Sequence, residues 1–187
     1  MGRKTPKEKR GARLVVVCSQ AGMMDEEIHM KILIVSDTHR RNDNYFNVLQ
    51  MHRPDMVIHC GDAEGSEYAL TEAADCPVQI VLGNNDFFSD LPRELVVSIG
   101  QYKVWVTHGH NYYVSMGNET LKREAAARGM DIVLYGHTHR PVIELDGDVI
   151  AVNPGSLSYP RQDGHRPSYA IMELDREGEA HFTIAYL

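Results

Sequence analysis

The chain has 187 residues, of which 43% are hydrophobic and 24% charged, the make-up of an ordinary globular domain. Its formal net charge is −7, and no apolar run approaches the ~20 residues of a membrane helix, which disfavours a general polyanion binder and a membrane-spanning protein. Ten histidines stand against a single tryptophan, and histidine is the commonest metal ligand.

Residues 1–13 set six basic side chains against Glu8, a formal +5, so the rest of the chain carries −12. Leu14–Cys18 is too short for the apolar part of a secretion signal, and no small-residue cleavage site follows. Residues 1–29 are read as an extension, disordered or the product of an upstream start, and residues 30–187 as the domain. Cys18, Cys60 and Cys76 form no C-x-x-C pair, which points to a reducing cytoplasmic setting rather than a disulfide framework.

Lys31–Ser36 is a short apolar run of buried-strand type. Asp43–His52 then has helical spacing, Met56–Cys60 is a second strand, and Ser66–Ala74 is an Ala-rich helix. Val78–Leu82, Lys103–Thr107 and Asp131–Tyr135 are further strands. Asn118–Arg128 is a strong helix former that Gly129 stops. Alternating strand and helix implies a largely parallel sheet. Val142–Leu145, Val149–Val152, Tyr169–Leu174 and His181–Tyr186 follow as strands joined by tight turns, a pattern that predicts an antiparallel meander.

Each of the first five apolar strands ends in the same kind of residue. After the first come Asp37-Thr38-His39, after the second Gly61-Asp62, after the third Gly83-Asn84-Asn85-Asp86. The fourth leads to His108-Gly109-His110 and the fifth to Gly136-His137-Thr138-His139. In open α/β sheets the carboxyl ends of strands gather at one place. Any one of these loops is a common turn or a solvated surface loop. Five in register with five strands form a constellation. Carboxylate, amide and imidazole donors without thiolate suit Mn²⁺, Fe or Zn²⁺. A metal pair ~3.5–4 Å apart is the usual clamp for phosphoryl chemistry, with Asp62 the best candidate to bridge it.

The set DTH, GD, GNND, THGH and GHTH, in this order from Met30 to about Asn153, resembles the calcineurin-like metallophosphoesterase family. The short length, the THGH form and the Asn153-Pro154-Gly155-Ser156 turn are similar to its small prokaryotic phosphodiesterase branch, which shares its fold with the retromer scaffold subunit. The resemblance implies an α/β fold, a metallophosphoesterase-type β-sandwich of mixed sheets flanked by helices. It implies two divalent metal ions, Mn²⁺ first and Ni²⁺, Fe or Zn²⁺ as alternatives. One position would use Asp37, His39, Asp62 and His139; the other would use Asp62, Asn84, His108 and His137.

Asn85 stands where the larger family has a histidine that assists the leaving group. General acid catalysis is worth ~10²–10⁴-fold, so the departure favours good leaving groups or a proton from His110 or from water on the metals. The expected activity is hydrolysis of a small phosphodiester by a hydroxide bridging the two ions. Two ions, two carboxylates and that hydroxide leave a site of about +1, which attracts a phosphodiester despite the acidic body. Alternatives are a phosphomonoesterase of the same family and a non-catalytic scaffold on this fold. No stable nucleic-acid binding and no membrane association are expected; edge strands leave homo-oligomerisation open.

Other residues carry less. Ser36 and Thr107 read as strand-end hydrogen bonders, His59 as a satisfied strand residue, and Asp86 as a support for the ligand loop. Phe87, Phe88, Tyr112 and Tyr113 read as rim packing or a stacking surface. Arg140 and Arg161 face either a phosphate or solvent.

Overall fold

A computed structural model describes residues 29–187 and the short strand β1 (Arg13–Leu14). The remainder of the expected extension lies outside the described residues. The chain continues through β2 (Met30–Val35), α1 (Asp43–His52), β3 (Met56–His59), α2 (Glu67–Glu72), β4 (Val78–Ile80), β5 (Glu94–Ile99), β6 (Tyr102–Thr107), α3 (Glu119–Ala127), β7 (Ile132–Leu134), β8 (Pro141–Glu144), β9 (Ile150–Pro154), β10 (Ser168–Leu174) and β11 (Ala180–Tyr186).

The strands form two mixed sheets, ordered β1-β11-β10-β2-β3-β4 and β5-β6-β7-β9-β8. In the first, β2, β3 and β4 run parallel while β10 runs antiparallel to β2. In the second, β6, β7 and β9 run parallel, with β5 and β8 antiparallel on either side. This is the helix-flanked sandwich that the motif resemblance implies, in place of the largely parallel single sheet that strand–helix alternation suggests.

Alternation along the central strands explains the layers. Ile32 and Ile34 of β2 point between the sheets, where they meet Val104, Val106, Ile132 and Leu134. Leu33 and Val35 point outward and pack with Tyr45, Val48 and Leu49 of α1. On the far side Trp105 and Val133 pack under Leu121 and Ala125 of α3. Both faces of each central strand are buried, which is why those strands read as continuous apolar runs. Fully burying such a side chain contributes roughly 1.5–3 kcal/mol.

The tail departs from a single meander. β8–β9 and β10–β11 are antiparallel hairpins, but they join opposite sheets, and β9 also pairs parallel with β7. The crossing is made at Gly155, which has φ +80°, and a Cβ there would lie 2.0 Å from Ser168 Oγ. β5 is an edge strand that the sequence reading does not include.

Candidate metal centre

The five loops converge at the carboxyl ends of β2, β3, β4, β6 and β7. Their backbones are unusual. Asp37, His39, Asp62, His137 and His139 all have φ between 45° and 69°. Asp and His enter this left-handed region more readily than bulky residues do, and such strain persists only where the surroundings impose it. Here the loops tie one another down. Asp37 N donates to Gly61 O (3.0 Å), His39 N to Asp62 O (3.0 Å) and Gly136 N to His108 O (3.1 Å). His137 N donates to Asp37 Oδ2 (3.1 Å) and Ser156 Oγ to Asp37 O (2.8 Å).

On one side of the site His39 Nε2 and His139 Nε2 face each other at 3.4 Å. His39 Nδ1 is engaged with Glu64 Oε1 (2.6 Å) and His139 Nδ1 with Tyr159 O (2.7 Å). Those acceptors place the ring protons on Nδ1 and leave both Nε2 lone pairs free. Asp37 Oδ1, fully buried, lies 3.1 Å from His139 Nε2 and 3.8 Å from His39 Nε2, without a well-aligned hydrogen bond among the described residues. Asp62 Oδ2 is 3.8 Å from His39 Nε2. Two imidazole lone pairs and two carboxylates aimed at one point repel unless a cation stands between them. This donor set fits a divalent ion.

On the other side His108 Nδ1 donates to Cys60 O (2.7 Å), so its Nε2 faces Asn84 Oδ1 (3.0 Å) and Asp62 Oδ2 (3.5 Å). His137 Nδ1 lies 2.8 Å from the same Asn84 oxygen. Burial opposes a charge on His108, but Asp62 and Asp37 outweigh it and raise the pKa to about 9. Without a metal, that imidazolium neutralises the carboxylates. Burial likewise opposes ionisation of Asp37 and Asp62, yet both carboxyls fall below the usual range, Asp37 through His139 and His108 and Asp62 chiefly through His108.

Donor atoms of Asp37, His39 and His139 lie within 4.8 Å of one another, and so do those of Asp37, Asp62 and His108. The seven residues singled out from the sequence are therefore brought together, with Asp62 between the two groups. Asp37 also reaches the second group, beyond the one position the resemblance gives it.

The other two sequence candidates sit close by. Asn85 faces Asp62, donating from N to Oδ1 (2.8 Å) and from Nδ2 to Oδ2 (2.7 Å). His110 begins a short 3₁₀ turn, His110–Tyr112, with its ring 5.4 Å from that of His108 and 6.1 Å from that of His137. Its Nδ1 is buried with no partner among the described residues.

Supporting residues fill the layer behind. Asp86 accepts from Asp62 N (2.9 Å), Gly83 N (2.7 Å) and Glu64 N (2.6 Å), the loop-holding role expected of it. His59 accepts from Gly61 N (3.2 Å) and contacts Thr38 Oγ1 (3.0 Å). Glu64 and the exact part played by Asn153 are not read from the sequence. Asn153 Nδ2 donates to Gly136 O (2.7 Å) and Thr138 Oγ1 (3.1 Å). The available signals were a carboxylate two residues beyond Asp62 and a sixth strand end bearing an amide. Glycines allow the close approach: a Cβ on Gly83 would fall 2.1 Å from Asp62 Oδ1, and one on Gly136 2.0 Å from Ser36 Oγ.

Comparison with known proteins agrees with this geometry. The chain is 33% identical over 150 residues to a probable metallophosphoesterase of Bacillus subtilis, covering 79% of this chain and 86% of that one. It is 32% identical over 146 residues to a phosphodiesterase of Methanocaldococcus jannaschii, covering 67% and 83%. A solved Streptococcus pneumoniae protein described as a predicted phosphoesterase superposes with a TM-score of 0.69 at 29% identity, covering 84% of this chain and 98% of that one. Residues 30–177 match the calcineurin-like phosphoesterase superfamily domain, and the chain belongs to that superfamily.

Proposed function

We propose that this protein is a phosphodiesterase that works with two divalent ions, Mn²⁺ first among them. The observation that supports this most is Asp62, whose Oδ2 lies 3.8 Å from His39 Nε2 and 3.5 Å from His108 Nε2 and so faces both groups of donors. Asp37, His39, Asp62 and His139 would hold one ion, and Asp62, Asn84, His108 and His137 the other. When bound, the ions supply Lewis acidity, activating water and neutralising charge that develops on the phosphate.

The chain's own residues do the positioning. Glu64, Tyr159 and Cys60 fix the imidazole tautomers of His39, His139 and His108. Asn85 orients both oxygens of Asp62 and borders the opening above the site, together with His39, His139 and Tyr159. His110, beside His108 and His137, would be the proton donor to the leaving oxygen, against burial and the charge of His108, which lower its pKa. A diester preference is supported by a relative that is named a phosphodiesterase. A cytoplasmic location is supported by the unpaired thiols of Cys60 and Cys76.

The test strips the protein of metal, reloads it with Mn²⁺, Ni²⁺, Zn²⁺ or Mg²⁺, and compares aryl phosphodiester with aryl phosphomonoester. The expected result is diester hydrolysis that Asp62→Ala removes. Hydrolysis of the monoester alone replaces the diester reading, and no hydrolysis with any metal ends the enzymatic one.

A further inference from the structure

A second cavity adjoins the donor groups. It is an open cleft of about 460 Å³, and Asn118, Tyr135, Thr138, Arg140, Glu144 and Arg161 contribute to its lining. That volume suits a small-molecule site. Thr138 lies between His137 and His139 in the chain, and Arg161 also borders the opening of about 540 Å³ above His39, Asn85 and His139. The cavity therefore starts where the donor groups end.

Its charged lining is Arg140 and Arg161 against Glu119 and Glu144. Arg140 and Arg161 stand at the end nearest the donor groups. Asn118, Tyr135 and Glu144 form the other end, joined by hydrogen bonds from Asn118 Nδ2 to Glu144 Oε1 (2.9 Å) and to Tyr135 Oη (3.4 Å). Lys122 Nζ meets Glu144 at 3.0 Å and offsets its charge. The two arginines have no such counter-ion. Arg140 Nε donates to Arg161 O (3.2 Å), which draws its side chain over the Arg161 backbone. Among the described residues neither guanidinium has a carboxylate partner. Arg128, by contrast, pairs with Glu94 (2.6 Å) and Glu124 (2.9 Å). Both arginines are exposed at the cavity rim, where their planar forks are open to phosphate oxygens.

We infer that this cavity is a substrate subsite for a second phosphate. The preferred substrate would be a phosphodiester with a further phosphate on one arm, bound by Arg140 and Arg161. The hydroxyl or amino groups of that arm would meet Asn118, Tyr135 and Glu144. This rests on the phosphodiesterase reading and narrows it to a class of substrate.

The experiment has two arms. In the first, the metal-loaded protein is given a diadenosine dinucleotide with and without a terminal phosphate. The phosphorylated form is expected to have a kcat/KM about tenfold or more higher, one charge-assisted contact being worth roughly that factor. The ratio falls toward one in Arg140→Gln/Arg161→Gln. In the second, adenosine monophosphate is titrated calorimetrically into the metal-free protein. Binding is expected to weaken about tenfold or more in the double variant and in adenosine lacking the phosphate. Aryl-diester hydrolysis with a substrate ratio near one and arginine-independent binding overturns the subsite while leaving the phosphodiesterase reading intact. Arginine-dependent binding with no ester hydrolysed under any metal overturns the enzymatic reading and with it the role of the cavity as a substrate subsite, leaving a phosphate-binding site.

Discussion

Asn85 grips Asp62 at both carboxylate oxygens, from its backbone at 2.8 Å and from its amide at 2.7 Å. The residue that replaces a histidine of the larger family thus has work of its own. Loss of such a supporting contact typically costs 10–100-fold in metal affinity or activity, so Asn85→Ala should lower both by about that factor. Asn85→His would remove the amide contact and supply an imidazole. It should raise the hydrolysis of alkyl diesters relative to aryl diesters. An equal change on both substrates would show that no proton is being delivered.

Glu64 controls the direction of His39. With Glu64→Gln the contact at Nδ1 persists without its charge, and with Glu64→Ala it disappears. Metal titration of the stripped protein should show a loss of about 10-fold for the alanine variant and a smaller one for glutamine. Equal affinity in all three proteins would mean that His39 is held by something else.

Gly83 and Gly136 are required for space rather than for a positive φ. Gly83→Ala would press a methyl group onto Asp62 Oδ1. Forcing extra atoms into a packed region costs typically 1–3 kcal/mol. A lower thermal midpoint together with weakened metal binding is the expected outcome. A fully stable, metal-competent Gly83→Ala protein would show that the loop relaxes easily.

His59 makes the metal-free protein sensitive to acid. It is completely buried, and burial together with the charge of His108 lowers its pKa from 6.5 to about 4, against the pull of Asp37, Asp86 and Asp62. The unfolded chain takes up a proton near pH 6.5 that the folded chain refuses. The stability His59 contributes is therefore present above that pH and is lost as the pH falls toward 4, to an extent of about 3 kcal/mol. Urea unfolding in chelator, at about pH 7.5 and about pH 4.5, should show a smaller drop for His59→Gln than for the native sequence. Parallel drops would assign the acid loss to other groups.

The strands and donors were legible for one physical reason. Strands buried on both faces read as uninterrupted apolar runs, and the residue that ends each run must sit at the sheet's carboxyl edge. β5 escaped because it lies at an edge, with Val96 and Ser98 exposed and Ile99 buried, so Glu94–Ile99 does not read as a continuous buried run. The tail departs from a single meander because local turns reveal a hairpin without revealing which sheet it joins. Glu64 and Asn153 act on partners 25 and 17 residues away. Such pairings exist only after the loops have met, and neither residue belongs to a repeating pattern.

Each donor group draws on both layers of the sandwich. Asp37, His39, Asp62 and Asn84 hang from the sheet that contains β2, β3 and β4; His108, His137 and His139 hang from the other. An ion bound by either group would act as a clasp across the seam between two slabs that are otherwise joined by greasy side chains and a few hydrogen bonds between loops. Metal occupancy and mechanical integrity then become one quantity. By mass action, free metal at a hundred times its dissociation constant adds about 2.7 kcal/mol of resistance to unfolding. Starved of metal, such a molecule loses its chemistry and its stiffness in the same event, and becomes a better substrate for the proteases that clear slack chains.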